Sequence, residues 1–229
     1  MKILLLGPQG AGKGTQAQRL ARATGARHVA TGDLVRAEIK AGTPLGRTIK
    51  DYNDRGELVP DDIIVSMVME RMRDADCWIL DGFPRTQAQA QALDTALGAA
   101  GCEIDAAVAL EAPDDALVER LSGRRTSEAT GVIYHLTGNP PPADDPGPFV
   151  QRDDDKPANI QHRLAIYHRE TEPLKDYYAR QDKLLRVDAL QPIDTVTGMI
   201  LFALEDRGSE SEAIPTELPQ SLERYAAAS

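Results

Sequence analysis

The chain has 229 residues, 41% of them hydrophobic, and a net charge of −10 at pH 7. That length supports one substantial core with smaller inserted lobes, and the composition excludes a disordered chain. The acidic balance argues against a nucleic-acid surface, whose affinity comes from neutralising phosphates, and no apolar run approaches the roughly 18 to 20 residues of a membrane span.

Ile3–Leu6 is the first strand signal, and as an apolar stretch it is too short for a secretory signal core of about 7 to 15 residues. Directly behind it stands GPQGAGKGT, with Gly7, Gly12 and Lys13 in a G-x-x-x-x-G-K pattern. Glycines let backbone N–H groups approach phosphate oxygens, and the helix that follows, Thr15–Ala23 ending near Gly25, offers its positive end. A strand before and a helix after make this a nucleotide phosphate site. The pattern usually continues with Ser or Thr after the lysine; here Gly14 follows, and the hydroxyl comes at Thr15. Direct magnesium coordination by that hydroxyl is therefore in question.

His28–Ala30 is the second strand candidate. Thr31 to Val59 holds Gly32, Gly42, Gly46 and Gly56 between helical pieces and shows no strand pattern, so a small helical insertion is expected. Pro60-Asp61-Asp62 is a favourable helix start, with Ile63, Ile64, Met67, Val68 and Met72 following at helical spacing. The third strand, Cys77–Leu80, ends at Asp81, a carboxylate placed to hold magnesium directly or through water. Further strands are Ala106–Leu110 and Leu184–Val187. Five strands alternating with helices predict an α/β fold with a parallel sheet covered on both faces.

The stretch from Thr126 to Pro157 breaks this rhythm with six of the fifteen prolines, and is bracketed by Arg124, Arg125 and Arg152. It cannot belong to the parallel sheet and reads as a disordered linker or a small lobe, its arginines favouring a lobe that touches something anionic. The tail from Glu205 is acidic, with a short helix expected near Leu222–Ala228. Cys77 and Cys102 lack metal-ligand spacing and are expected as buried free thiols of a cytoplasmic protein. The histidines His28, His135, His162 and His168 are expected to be structural or at the surface. Arg19, Arg22 and Arg71 are expected as scattered surface charge.

GPQGAGKGTQA, TGDLVR (Thr31–Arg36), DGFPRT (Asp81–Thr86), GRR (Gly123–Arg125), RDDD (Arg152–Asp155) and HRLAIYH (His162–His168) occur in this order, and together they resemble adenylate kinase from Met1 to about Leu204. The resemblance implies a doubly wound five-stranded P-loop core (1–30, 60–122, 161–204) with two inserted lobes and an acidic tail (205–229). Residues 31–59 would bind the nucleoside monophosphate, and 123–160 would form a lid. It implies reversible transfer from MgATP to AMP, with Lys13, Arg85, Arg124, Arg152 and Arg163 around the transferring phosphates. ATP would be held by Gly10, Ala11, Gly12, Lys13, Gly14, Thr15, Arg120 and Arg124. Arg120 would stack on the base of ATP. AMP would be held by Thr31, Arg36, Glu57, Val59, Gly82, Arg85, Gln89, Arg152 and Arg163, with Thr31 and Gln89 reading the adenine. Asp81 would be the magnesium-shell carboxylate, reached through water.

Some relatives staple the lid with zinc. Here Ser127 and Thr130 stand where a first cysteine pair would be, so no zinc is expected. A hydrogen-bond network among Ser127, Thr130, His135 and Asp144 or Asp145 is expected instead. The expected partners are ATP, AMP and ADP, with no nucleic acid and no membrane, bound by a monomer. Two alternatives stay open: an AMP kinase with a non-ATP donor, and a non-catalytic nucleotide-binding module. A regulatory GTPase is disfavoured, since the chain has no Asn-Lys-x-Asp run.

Overall fold

The computed structural model describes residues 1–54, 59–151 and 155–206. Glu57, Arg152 and the helix expected near 222–228 lie outside the described residues. The first elements are β1 (Lys2–Leu6), α1 (Lys13–Thr24), β2 (Arg27–Ala30), α2 (Thr31–Ala41) and α3 (Pro44–Asp54). Then come α4 (Asp61–Met72), β3 (Trp78–Asp81), α5 (Gln87–Ala99), β4 (Ala106–Glu111) and α6 (Asp114–Gly123). Three short strands follow, β5 (Arg124–Ser127), β6 (Ile133–His135) and β7 (Phe149–Val150). The last elements are α7 (Pro157–Ile166), a π-helical turn at Tyr167–Thr171, α8 (Leu174–Ala179), β8 (Leu184–Asp188) and α9 (Ile193–Asp206).

The five long strands form one parallel sheet in the order β2-β3-β1-β4-β8. The period-two alternation of a strand divides its side chains between two apolar layers. Ile3 and Leu5 pack with Leu20, Leu117, Leu164 and Ile200 on one face, under α1, α6, α7 and α9. Leu4 and Leu6 pack with Val68, Leu93, Leu97 and Tyr178 on the other, under α4, α5 and α8. Burial on both sides is why these strands read as continuous apolar runs. On α4, Val65 joins Ile64, Met67, Val68 and Met72 in the core, while Ile63 is only half-buried.

β1 lies at the centre, with β3 on one side and β4 on the other. The connection that leaves β1 runs to β2 on one side and the one that leaves β3 runs past β1 to β4 on the other, which opens a crevice at the carboxyl ends, the usual ligand position in such sheets. Register sets what faces that crevice: Leu5 pairs with Asp81, Ala30 pairs with Asp81, and Leu6 pairs with Ala109.

Residues 31–54 are helical, as expected. The proline-rich stretch is not without strands: β5, β6 and β7 form a separate antiparallel sheet in the order β6-β5-β7. The polar sequence of β5, Arg124-Arg125-Thr126-Ser127, carries no apolar alternation by which it could be recognised. Its hub is Asp145. Ser127 Oγ (2.7 Å), Thr130 Oγ1 (2.9 Å), Tyr134 OH (2.8 Å) and the Gly147 N–H (3.0 Å) all donate to this one carboxylate. The bond from the Gly147 backbone, with those hydroxyls, holds the carboxyl down at about 2. The expected network thus forms on Asp145 rather than Asp144, and it includes Tyr134. His135 stands apart: its Nδ1 accepts from the backbone of Thr137 and Gly138.

Two smaller corrections follow. Cys77 and Cys102 are free but half-buried rather than fully buried. Arg19 is not scattered surface charge: it donates to Thr197 and pairs with Asp194, tying α1 to α9.

Candidate active site

The loop between β1 and α1 is shaped by its glycines. Gly7 has φ +140°, and a Cβ there would stand 2.6 Å from the Leu110 carbonyl on β4, so no side chain fits. Gly12, at φ 92°, makes the left-handed turn that starts α1. Together they lay the loop across the carboxyl end of the sheet, with Gly10 and Ala11 along it and Gly14 and Thr15 in the first turn of α1.

Lys13, the first residue of α1, folds its side chain back into this loop. Its Nζ donates to the Gly7 carbonyl (2.7 Å) and the Pro8 carbonyl (2.8 Å). Burial is the main force that lowers its pKa from 10.5 to about 8, with Asp81 opposing and Arg85, Arg163 and Arg124 adding to the fall. One carboxylate and three guanidiniums thus act electrostatically on one ammonium. The local excess of positive charge is what a polyanion would neutralise.

Each arginine is positioned by a specific contact. Arg85 Nε donates to the Gly82 carbonyl (2.9 Å), while burial and Arg36 lower its proton affinity against the pull of Asp81. Arg36 pairs with Asp33 on its own helix, lying over Gly32. Arg124 makes a two-pronged ion pair with Asp155, Nε at 2.7 Å and Nη2 at 2.6 Å, and Arg163 stands 3.5 Å from the same carboxylate. Asp155 is fully buried. Nothing in the run of three successive aspartates, 153–155, marks Asp155 in the sequence as a buried one. Arg120 Nη2 donates to the carbonyl of Ala189, the residue after β8 (2.8 Å).

On the β2 side, Thr31 is 5% exposed and its hydroxyl has no partner among the described residues. An unpaired buried hydroxyl is costly, so this one is suited to meet a ligand. Gln89 lies near the start of α5: its Oε1 accepts from the Arg85 N–H (2.8 Å) and its Nε2 donates to Asp61 (2.9 Å). Val59 and Gly82 lie half-buried near these residues in the chain.

Asp81 ends β3, 14% exposed, with His28 Nε2 3.7 Å away. A Cβ on Gly14 would stand 3.5 Å from its Oδ2, so Gly14 leaves the space beside the carboxylate open. Thr15 is exposed. One carboxylate with open space beside it fits a magnesium ion that keeps most of its waters and is bound mainly by substrate phosphates. Among the described residues, no group of three or more His, Cys, Asp or Glu side chains could hold a metal by itself.

A family profile described as adenylate kinase matches residues 5–183. The chain is 45% identical over 212 residues to the adenylate kinase of Lachnospira eligens, covering 89% of this chain and 100% of that relative. It is 44% identical over 213 residues to the adenylate kinase of Carboxydothermus hydrogenoformans, covering 90% and 100%. The adenylate kinase of Thermodesulfovibrio yellowstonii is 45% identical over 215 residues, again covering 90% and 100%. Similarity of this extent takes in the glycine loop, the cations around Lys13 and the β5–β7 sheet alike, and on it the chain belongs to the adenylate kinase family and is a phosphotransferase.

Proposed function

We propose that the chain transfers a phosphoryl group reversibly between MgATP and AMP, giving two ADP. The observation that carries this reading is the glycine loop holding Lys13 on the Gly7 and Pro8 carbonyls, with Arg124 and Arg163 paired to one buried carboxylate, Asp155, and Asp81 at the end of β3. Transfer between two phosphates needs no nucleophile to be activated, because the acceptor oxygen is already ionised. Catalysis is then alignment plus neutralisation of charge on the transferring group.

Gly10, Ala11, Gly12, Gly14 and Thr15 cradle the triphosphate, and Lys13 exchanges its two loop carbonyls for phosphate oxygens. Arg120 supplies a flat guanidinium for the ATP base. Arg36 and Arg85 clamp the monophosphate, with Thr31 and Gln89 on its base and Val59, Gly82 and Glu57 beside it. Arg124, Arg163 and Arg152 surround the transferring group. Asp155 holds Arg124 and Arg163 side by side, so that two cations reach the site as a unit. Asp81 anchors the metal's waters; bound magnesium supplies charge neutralisation at the phosphates.

Residues 31–59 act as the monophosphate-binding lobe and 123–160 as a lid that excludes water, since an open site would waste ATP by hydrolysis. The lid is held without zinc, by the Asp145 hub. Two free thiols suit a reducing cytoplasm, and one chain supplies every site residue, so a monomer suffices. Among the described residues no helix is long and apolar enough to cross a membrane.

The test is a coupled assay over four triphosphates and four monophosphates, with and without magnesium. AMP with ATP should be the best pair, with no turnover after chelation. Binding of ATP without formation of ADP from AMP at millimolar magnesium would overturn the proposal. Preference for another triphosphate would show a different donor.

A further inference from the structure

Asp61 opens α4, and nothing in its sequence position marks it as more than a favourable first-turn acid. In the structure its Oδ1 accepts from Gln89 Nε2 at 2.9 Å, across 28 residues of chain. The other end of the same amide, Oε1, accepts from the Arg85 N–H at 2.8 Å. The Arg85 backbone is held in turn, its carbonyl accepting from Thr171 Oγ1 at 2.8 Å.

An amide side chain offers two N–H donors and two oxygen lone pairs. Asp61 and Arg85 take one of each, leaving one donor and one acceptor. Turning the amide over would set its oxygen against the Asp61 carboxylate and its NH2 against the Arg85 N–H. Both contacts would be repulsive, so the orientation is locked. The orientation decides which purine edge the remaining pair can match. Adenine shows an amino donor beside a ring-nitrogen acceptor. Hypoxanthine and guanine show the reverse on the N1 side, a carbonyl acceptor beside a ring N–H donor, and two acceptors on the N7 side. The unpaired, buried Thr31 hydroxyl is a second polar group left for the same ligand.

We propose that Asp61 is a positioning residue for acceptor selectivity: with the Arg85 N–H it fixes the Gln89 amide in the orientation that accepts a 6-amino purine monophosphate and rejects a 6-oxo one. This rests on the reading of Gln89 as the acceptor-base contact. The competing role is purely structural. Gln89 also belongs to the cap of α5, where its N–H donates to Thr86 Oγ1 at 3.2 Å, and Asp61 ties α4 to that cap.

The experiment measures kcat and KM for AMP and IMP at saturating MgATP, and melting temperature, in the wild type, Asp61→Asn and Asp61→Ala. The wild type should prefer AMP. A lost hydrogen bond to a charged group corresponds to about tenfold or more in an equilibrium, so Asp61→Ala should narrow the AMP-to-IMP ratio of kcat/KM by about that factor. The AMP loss should fall mainly on KM, and KM for ATP should stay within about twofold, since the donor is held elsewhere. Asp61→Asn keeps a carbonyl acceptor and should retain part of the selectivity; it also carries the test should Asp61→Ala not fold. An unchanged AMP-to-IMP ratio, or a loss shared equally by both acceptors and tracking melting temperature, would overturn the proposal. A wild type that phosphorylates no AMP would instead overturn the functional reading.

Discussion

Lys13 gives the prediction with the clearest physical handle. Burial first, and then three neighbouring guanidiniums, bring its pKa from 10.5 to about 8 against the attraction of Asp81. Bound phosphates add negative charge beside the ammonium and favour its protonated form. The sign follows: nucleotide binding takes up a proton wherever Lys13 is neutral in the free protein and charged in the complex. At pH 9 the free lysine is about one-tenth protonated, and a complex that restores the ordinary value is nearly fully so, an uptake of about 0.9 proton. At pH 7 the same arithmetic leaves about 0.1 proton. Apparent affinity should then weaken about tenfold from pH 7 to pH 9, about 1.4 kcal/mol. Titration calorimetry with a non-hydrolysable ATP analogue and magnesium, in two buffers of different ionisation enthalpy at pH 9, reads the uptake directly. Lys13→Met should abolish it without lowering the melting temperature at pH 9, since a lysine held at about 8 costs the fold stability below its ordinary 10.5. An uptake near zero in the wild type, or equal uptake in Lys13→Met, would refute the placement of Lys13 among those arginines.

Lys13→Ala and Arg85→Ala should each reduce turnover at least about a hundredfold with little thermal destabilisation, as charge stabilisers of phosphoryl transfer do; near-normal turnover in either removes that residue from the mechanism. Asp145→Asn should loosen the β5–β7 sheet selectively, seen as faster amide exchange over 124–150 with the five-stranded sheet still protected. Because the Asp145 carboxyl is held at about 2, its contribution is present above the ordinary value of 3.8 and is lost as pH falls through about 2, so acid should open this sheet locally. Elemental analysis of protein purified without chelator should show far less than one zinc per chain, and a stoichiometric zinc would contradict the Asp145 hub. A chain ending near Gly208 should keep full activity, its removed residues being acidic and poor in apolar anchors; loss of activity in a folded truncation would assign the tail a role.

The five-stranded core was legible in the sequence because its causes are local. A strand buried on both faces must be an apolar run, the turn behind β1 needs residues without Cβ, and Gly25 caps α1 in a left-handed conformation. The phosphate loop was legible for the same reason, and the ordered motifs around it carried the resemblance to the family. What stayed hidden depends on contacts between distant residues. One of three successive aspartates becomes the buried counter-ion of Arg124 and Arg163, one of two successive aspartates collects three hydroxyls, and Asp61 meets the Gln89 amide. Arg19 looked like surface charge until α9 brought Thr197 and Asp194 against it. β5 showed no strand pattern because a small, half-exposed sheet is held by a carboxylate hub and the edge contact of Tyr134 with Phe149 rather than by apolar alternation. Backbone conformation and burial periodicity are written into neighbouring residues; the partner of a polar side chain is decided only when tertiary packing removes water and leaves it one acceptor or donor to find.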